Sequence, residues 1–242
     1  MRIIFSKAGK WLLNALLPRT CAHCGLDLHY FESAPLCPGC AARLQPLPEL
    51  HCAACGAPLP YGGAPCRDCA GEREAALSRA RSAFVFTPEL RSLVHALKYR
   101  DRDDLAPWLA GEMARSLERF PELAVFRFLA AVPLHASRLR ERGFNQAELL
   151  ARGLAARADL FYLEGASERT RDTPSQTSLS KPERRANMTG AFRVARPELV
   201  KGRKILLVDD VATTLATLRE LAAEFTRAGA AGVAAYTLAR EP

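Results

Sequence analysis

Two adjacent carboxylates, Asp209 and Asp210, stand in the stretch Lys204–Leu218, which reads KILLVDDVATTLATL. An apolar run, Ile205–Val208, precedes them and reads as a buried strand. A small-residue loop with Thr213, Thr214 and Thr217 follows and runs into a helix. In an open parallel sheet, ligands bind beyond the carboxyl ends of the strands. A helix N-terminus there offers unpaired N–H groups and a positive dipole end, which suit a phosphate. Two carboxylates at the same place would repel a phosphate. They should face sugar hydroxyls or a divalent cation instead, and a phosphorylated ribose satisfies both halves. An acidic strand terminus with an Asp helix cap would explain one Asp, but not two with three threonines. No G-x-x-x-x-G-K-[ST] and no G-x-G-x-x-G is present, so P-loop and dinucleotide sites lack motif support.

Two basic stretches could serve the same ligand. Ala131–Gln146, AVPLHASRLRERGFNQ, ends a strand and carries Arg138, Arg140 and Arg142. Guanidinium forks match phosphate oxygens bidentately. Arg138 and Arg142 are the candidates, with Asn145 and Gln146 as hydrogen-bonding neighbours. Ser167–Arg196 is poorly periodic and reads as a long loop. Its cations are Arg169, Arg171, Lys181, Arg184, Arg185, Arg193 and Arg196, and Gln176, Leu179 and Asn187 stand among them. Loops this long in a compact domain are usually functional. His95 and His135 are the only histidines outside the cysteine-rich front. Neither is expected to be a general base.

All eight cysteines form Cys-x-x-Cys pairs: Cys21/Cys24, Cys37/Cys40, Cys52/Cys55 and Cys66/Cys69. Gaps of twelve, eleven and ten residues separate them. Each pair turns two sulfurs toward one point, and two pairs complete a tetrahedral Zn²⁺ site. Two successive structural zinc ribbons fit the spacing, and a cross-braced pairing uses the same residues. His23 and His51 neighbour the ligands and are expected to stay outside them. The formal charge is +8, and eight thiolates with two zinc ions lower it to +4. That is too little for charge alone to argue nucleic-acid binding.

Residues 1–75 hold every cysteine and many turn formers; residues 76–242 alternate helix and strand. Strands are expected at Ser82–Phe86, Phe128–Pro133, Leu160–Leu163, Lys204–Val208 and Val233–Leu238. Helices are expected at Glu89–Tyr99, Leu105–Phe120, Asn145–Ala158 and Ala216–Ala228, with another at Leu179–Asn187. This pattern implies a parallel sheet covered by helices. No stretch approaches the roughly 20 apolar residues of a membrane span. Trp11–Leu17 is too short for a signal peptide and reads as an amphipathic helix. We therefore expect a cytoplasmic location without membrane insertion.

The acidic stretch resembles the phosphoribosyl-pyrophosphate (PRPP) motif of type I phosphoribosyltransferases. By that resemblance Asp209 and Asp210 bind the ribose 2′- and 3′-hydroxyls, and Ala212, Thr213, Thr214, Ala216 and Thr217 hold the 5′-phosphate. The Arg138/Arg142 loop contacts pyrophosphate with Mg²⁺, and Arg169, Gln176 and Arg184 belong to a lid. The family usually has Gly after the Thr pair. Here Leu215 is expected to weaken phosphate binding or push the loop aside. The chain as a whole is similar to the ComF family. The matching residues are Lys98–Tyr99, Val132–Leu134, Arg142–Gln146, Thr173–Leu179, Arg184–Asn187, Gly190–Phe192, the cysteine front and the Asp-Asp loop. That resemblance implies an α/β phosphoribosyltransferase fold, a zinc-ribbon front and a link to DNA uptake in natural transformation, with DNA-uptake proteins as partners. Two readings stay open. One is an enzyme acting on PRPP. The other is a binding module, either sensing a nucleotide or holding single-stranded DNA through the basic loops with Phe144, Phe192 and Tyr99.

Overall fold

The computed structural model describes residues 19–29, 34–61, 64–71, 76–100, 102–172 and 187–241. Five strands, β1 (Leu77–Val85), β2 (Phe128–Ala131), β3 (Phe161–Tyr162), β6 (Lys204–Ala212) and β7 (Gly232–Arg240), form one sheet in the order β1-β7-β6-β2-β3. All its pairings are parallel. A central parallel strand is covered on both faces, so it reads as a continuous apolar run rather than an alternation. Ile205–Val208 of β6 and Val233–Ala239 of β7 are accordingly buried throughout.

α2 (Pro88–Tyr99) starts where the Thr87 side chain accepts from Leu90 N, and it buries the expected stripe Leu90, Leu93, Val94 and Leu97. α3 (Ala106–Leu117) and α5 (Gln146–Ala158) pack on each other. Gly153 permits their approach: a Cβ there would come within 2.6 Å of the Ala110 Cβ. α4 (Ala136–Arg142) and α5 carry the chain from β2 to β3 on one side, while α6 (Ala216–Arg227) carries it from β6 to β7 on the other. The order of connection therefore reverses between β2 and β6, and a crevice opens there at the strand C-termini. Among the described residues no helix is long and apolar enough to cross a membrane.

Several elements depart from expectation. β6 does not stop at Val208. It runs on to Ala212 because Asp209, Val211 and Ala212 pair with Thr237, Ala239 and Arg240 of β7. Both aspartates therefore lie inside the strand. β1 starts five residues before Ser82, at Leu77. The helix expected over Leu105–Phe120 is a 3₁₀ turn followed by α3, and it ends at Leu117. The stretch expected to be one long loop is framed by an antiparallel hairpin, β4 (Ser167–Arg169) with β5 (Phe192–Val194). Strands of three residues carry no legible period. The helix expected over Leu179–Asn187 lies outside the described residues except for Asn187. Gln176, Leu179, Lys181, Arg184, Arg185 and the segment Trp11–Leu17 also lie outside them.

The cysteine-rich front docks on the outer strand β1. Pro46 bridges Phe84 in antiparallel fashion, Leu47 N donates to Ala83 O at 3.1 Å, and Val85 N donates to Gln45 O at 2.8 Å. Farther along β1, Ala80 N donates to Ala54 O at 2.7 Å, and the Arg81 guanidinium donates to Ala53 O at 3.0 Å. Gly56 belongs to the same contact, since a Cβ there would meet the Ala80 carbonyl oxygen at 2.8 Å. The front thus supplies the hydrogen-bond partners that an edge strand otherwise lacks.

Candidate functional site

The cysteines gather into two separate centres, Cys21/Cys24/Cys37/Cys40 and Cys52/Cys55/Cys66/Cys69, with the sulfurs of each within 4.8 Å of one another. The pairing is therefore sequential, not cross-braced. A tetrahedron with Zn–S of about 2.3 Å has sulfur–sulfur edges of about 3.8 Å. Cys24 and Cys37 stand 3.8 Å apart, and Cys55 and Cys66 stand 3.7 Å apart. Each first knuckle turns on a glycine at positive φ, Gly25 (76°) and Gly56 (69°), whose N–H donates back to the first cysteine's carbonyl. In the first centre, Cys37 and Cys40 are set by the one-turn helix α1 (Pro38–Ala41). Burial pushes the Cys21 and Cys52 thiols up, but backbone N–H groups aimed at the sulfurs outweigh it and bring both down to about 6. Burial and the neighbouring sulfurs push Cys40, Cys66 and Cys69 up, so the four thiols of a centre ionise together only with a cation among them. Each centre is a zinc-binding site of four cysteines. His23 faces Ser92 and Glu89, and His51 bonds the Pro48 carbonyl, so neither histidine is a ligand.

At the crevice between β2 and β6, the two aspartates have different surroundings. Asp210 is 4% exposed, and its Oδ2 lies 2.6 Å from Lys98 Nζ at the last turn of α2. Burial lowers the Lys98 ammonium, but the Asp210 carboxylate outweighs it and the net shift is upward. Asp209 is only partly buried. Desolvation, then the neighbouring Asp210, raises its carboxyl from 3.8 to about 7. The strand backbone ties both down, with Asp210 N donating to Asp209 Oδ1 and Val211 N to Asp210 Oδ1.

The loop after β6 supplies donors. Among the described residues no acceptor takes the N–H of Thr213, Thr214 or Leu215. Thr214 Oγ1 accepts from Ala216 N at 3.4 Å, and Thr213, Thr214 and Thr217 are half-buried. At Leu215 the loop takes a backbone conformation that leucine does not favour. Its φ is 60°, the left-handed conformation that favours glycine, while its side chain is 4% exposed and packed in the core. The loop keeps its glycine-like path because burial of the leucine offsets a strain of roughly 1–2 kcal/mol. A non-glycine residue in this conformation inverts the usual preference. Leu215→Gly should be more stable to urea than Leu215→Ala by about 1 kcal/mol, although glycine ordinarily loses to alanine. The reverse order would show that the loop is not held at positive φ.

Basic residues approach from β4 and from α4, since the stretch expected to be an Arg-rich loop is helical and carries Arg138, Arg140 and Arg142. His135 bridges Arg169, and its ring caps α4 by accepting from Ser137 N. Asp172 joins the two segments, 2.7 Å from Ser137 Oγ and 4.0 Å from Arg138 Nε. Arg169 is held below its ordinary value by burial and then by the like charge of Arg138, with Asp209 and Asp172 opposing. Arg138, Asp209 and Asp172 are thus all near enough to Arg169 to act on its charge. The Arg142 guanidinium lies 5.3 Å from the ring of Tyr99, which is 66% exposed, and it donates to Gln146. Asn145 and Gln146 are buried. Asn145 caps α5 and donates to Val132 O, and Gln146 accepts from Arg142, so both hydrogen-bond at the start of the helix. Of the three aromatics named as stacking candidates, Phe192 is buried and Phe144 packs on the core, leaving Tyr99. Lys98, Asp172, Arg219 and Arg240 had no signal of their own in the sequence. Only the Lys98–Tyr99 pair pointed toward one of them, and without a role.

Comparison with known proteins agrees with both halves of this geometry. Residues 12–70 match a double zinc ribbon domain, and residues 139–242 match a phosphoribosyl transferase domain. The chain is 34% identical over 208 residues to the DNA utilization protein YhgH of Salmonella typhimurium, covering 85% of this chain and 90% of that one. It is 29% identical over 228 residues to competence protein F of Haemophilus influenzae, covering 91% and 96%. To competence protein ComFC of Bacillus subtilis it is 27% identical over 212 residues, covering 85% and 84%. With paired four-cysteine ribbons docked on a parallel phosphoribosyltransferase sheet, this chain belongs to the ComF family.

Proposed function

We propose that the crevice binds PRPP or a related phosphorylated ribose with Mg²⁺, and that the protein serves DNA uptake, as the names of its competence-protein relatives suggest. The observation that carries this reading is the row of N–H groups at Thr213–Leu215 without an acceptor among the described residues, which follows Asp209 and Asp210 in the chain, with Asp209 and Arg138 both acting on the charge of Arg169. A phosphate takes the loop N–H groups and the Thr213, Thr214 and Thr217 hydroxyls, bounded by Ala212 and Ala216. Asp209 accepts the ribose hydroxyls, and Asp210 holds its place through Lys98. Arg138, with Mg²⁺, balances the pyrophosphate. Arg142 acts from the rim, and Arg169, Gln176 and Arg184 belong to the lid. The ribbon front covers residues 1–75 and the catalytic fold covers 76–242, in a cytoplasmic protein.

Isothermal titration of the zinc-loaded protein with PRPP and Mg²⁺ tests this, with ribose 5-phosphate and pyrophosphate as partial ligands. Saturable binding of PRPP that weakens at least 10-fold in Arg138→Ala is expected. No heat and no shift in melting temperature at millimolar PRPP would overturn the reading. A second reading, a single-stranded nucleic acid site, rests on the exposed Tyr99 ring with the Arg142 guanidinium over it. Stacking of this kind contributes about 1–3 kcal/mol per base. Binding of a short oligonucleotide that survives Asp209→Asn but falls with Tyr99→Ala would place that site on the rim.

A further inference from the structure

Arg240 ends β7 and is 8% exposed. Its Nη1 donates to three carbonyl oxygens, Ala212 at 3.1 Å, Thr213 at 2.6 Å and Glu241 at 2.8 Å. Two of these belong to the segment that opens the phosphate-loop candidate. On its other side, Nη2 lies 4.0 Å from Cys55 Sγ of the second cysteine centre. Arg219, in the first turn of α6, places Nη2 3.7 Å from Cys69 Sγ of the same centre, and its N–H donates to Leu215 O at 2.8 Å. One guanidinium, that of Arg240, thus joins a sulfur of this centre to the carbonyls that open the loop, while that of Arg219 reaches a second sulfur of the centre from the first turn of α6, whose backbone hydrogen-bonds the loop's last residue. Among the described residues the first centre has no such link to the loop. Its arginine, Arg43, lies 3.3 Å from Cys40 Sγ and reaches Glu89 of α2 at 3.2 Å.

A guanidinium buried this far needs an opposite charge, or it leaves a costly unpaired cation. Among the described residues no carboxylate pairs with Arg240. Zinc, when bound, holds its four sulfurs as thiolates and leaves the centre with a net charge of about −2. The second centre is therefore the counter-charge for Arg240. We propose that Arg240 is a positioning residue that couples the second zinc centre to the loop Ala212–Leu215, so that metal at that centre sets the loop's shape. The consequence for affinity rests on the reading of this loop as a phosphate cradle; the coupling itself does not. By reciprocity, an anion held in the loop must tighten metal at the second centre.

The test uses the full zinc-loaded chain and amide hydrogen exchange at Arg219 and Glu241, whose acceptors are Leu215 O and Ala212 O. Cys55→Ser/Cys66→Ser, which disables the second centre, should quicken both amides about 10-fold, as should Arg240→Met. Cys24→Ser/Cys37→Ser, which disables the first, should leave them unchanged. In the Arg240→Met background, disabling the second centre should add nothing further. Equal protection in wild type and the second-centre variant, or additive effects with Arg240→Met, would overturn the coupling. If the serine variants do not fold, zinc release to a colorimetric chelator decides. One of the two metals should leave faster from Arg240→Met than from wild type, with Arg240→Lys between them, and identical release would again overturn it. Pyrophosphate should slow release of that metal in wild type. If PRPP and pyrophosphate fail to bind at all, the cradle reading falls while the exchange result still stands or falls by itself.

Discussion

Replacing Lys98 with methionine should destabilise the protein by about 3–5 kcal/mol, the range for a buried charge stripped of its partner. The ammonium is the group that neutralises Asp210, at 2.6 Å, and the carboxylate it faces is buried. Methionine keeps the length and apolar stem of the lysine, so the helix packing survives and the loss is electrostatic. The double variant Lys98→Met/Asp210→Asn removes both charges and should recover most of the deficit. Urea denaturation of the four proteins in this cycle reads the pairing directly. Additive losses would show that Asp210 does not depend on Lys98. The pair also predicts a base limit. The lysine is raised above its ordinary 10.5, so its contribution is complete below that value and is lost as pH climbs past the raised one.

Asp209→Asn should do the opposite to stability and weaken ligand binding. The carboxyl titrates near 7 in the folded chain, against 3.8 ordinarily. Between those values the folded chain keeps a proton that the unfolded chain has released. Wild-type stability therefore falls as pH rises from about 4 to about 7 and then levels. Each tenfold change in proton affinity is worth about 1.4 kcal/mol, which caps the penalty at about 4 kcal/mol. Asparagine avoids it, so the variant should melt several degrees higher at pH 8 and match wild type near pH 4. Its affinity for PRPP should drop by about 10–100-fold, the cost of a lost charged hydrogen bond. Wild-type affinity should rise from pH 6 to pH 8 as the carboxylate forms. Equal melting points at pH 8 would mean that Asp209 is not strained by its burial. A strained, ligand-ready carboxylate is a known exchange of stability for function.

The zinc centres and the helices were the most legible features. Cys-x-x-Cys spacing is local, and the stripe Leu90, Leu93, Val94 and Leu97 repeats at a helical period, so neighbouring residues carry the information. In the candidate site the sequence pointed to the Asp-Asp loop and to the stretches that carry Arg138, Arg142 and Arg169, but not to a role for Lys98 or Arg240. β6 ran past its expected end because pairing with β7 outweighed the charges of Asp209 and Asp210. Lys98 reads in sequence as an ordinary basic residue in a last helical turn, and nothing local ties it to a carboxylate 112 positions away. Arg240 has the same difficulty, since its partners come from the cysteine front and from the loop after β6. Leu215 shows the converse. Residue type argued against a glycine-like turn, and tertiary burial imposed one anyway.

The strap Gln45–Leu47 across β1 has a consequence for handling the protein. It closes one margin of the sheet, and the opposite margin, β3, is only two residues long. Chelation that loosens the strap uncovers a nine-residue strand with unmet backbone groups. Metal-stripped preparations should therefore self-associate edge to edge and form β-rich precipitates, and protein kept with zinc should remain dispersed.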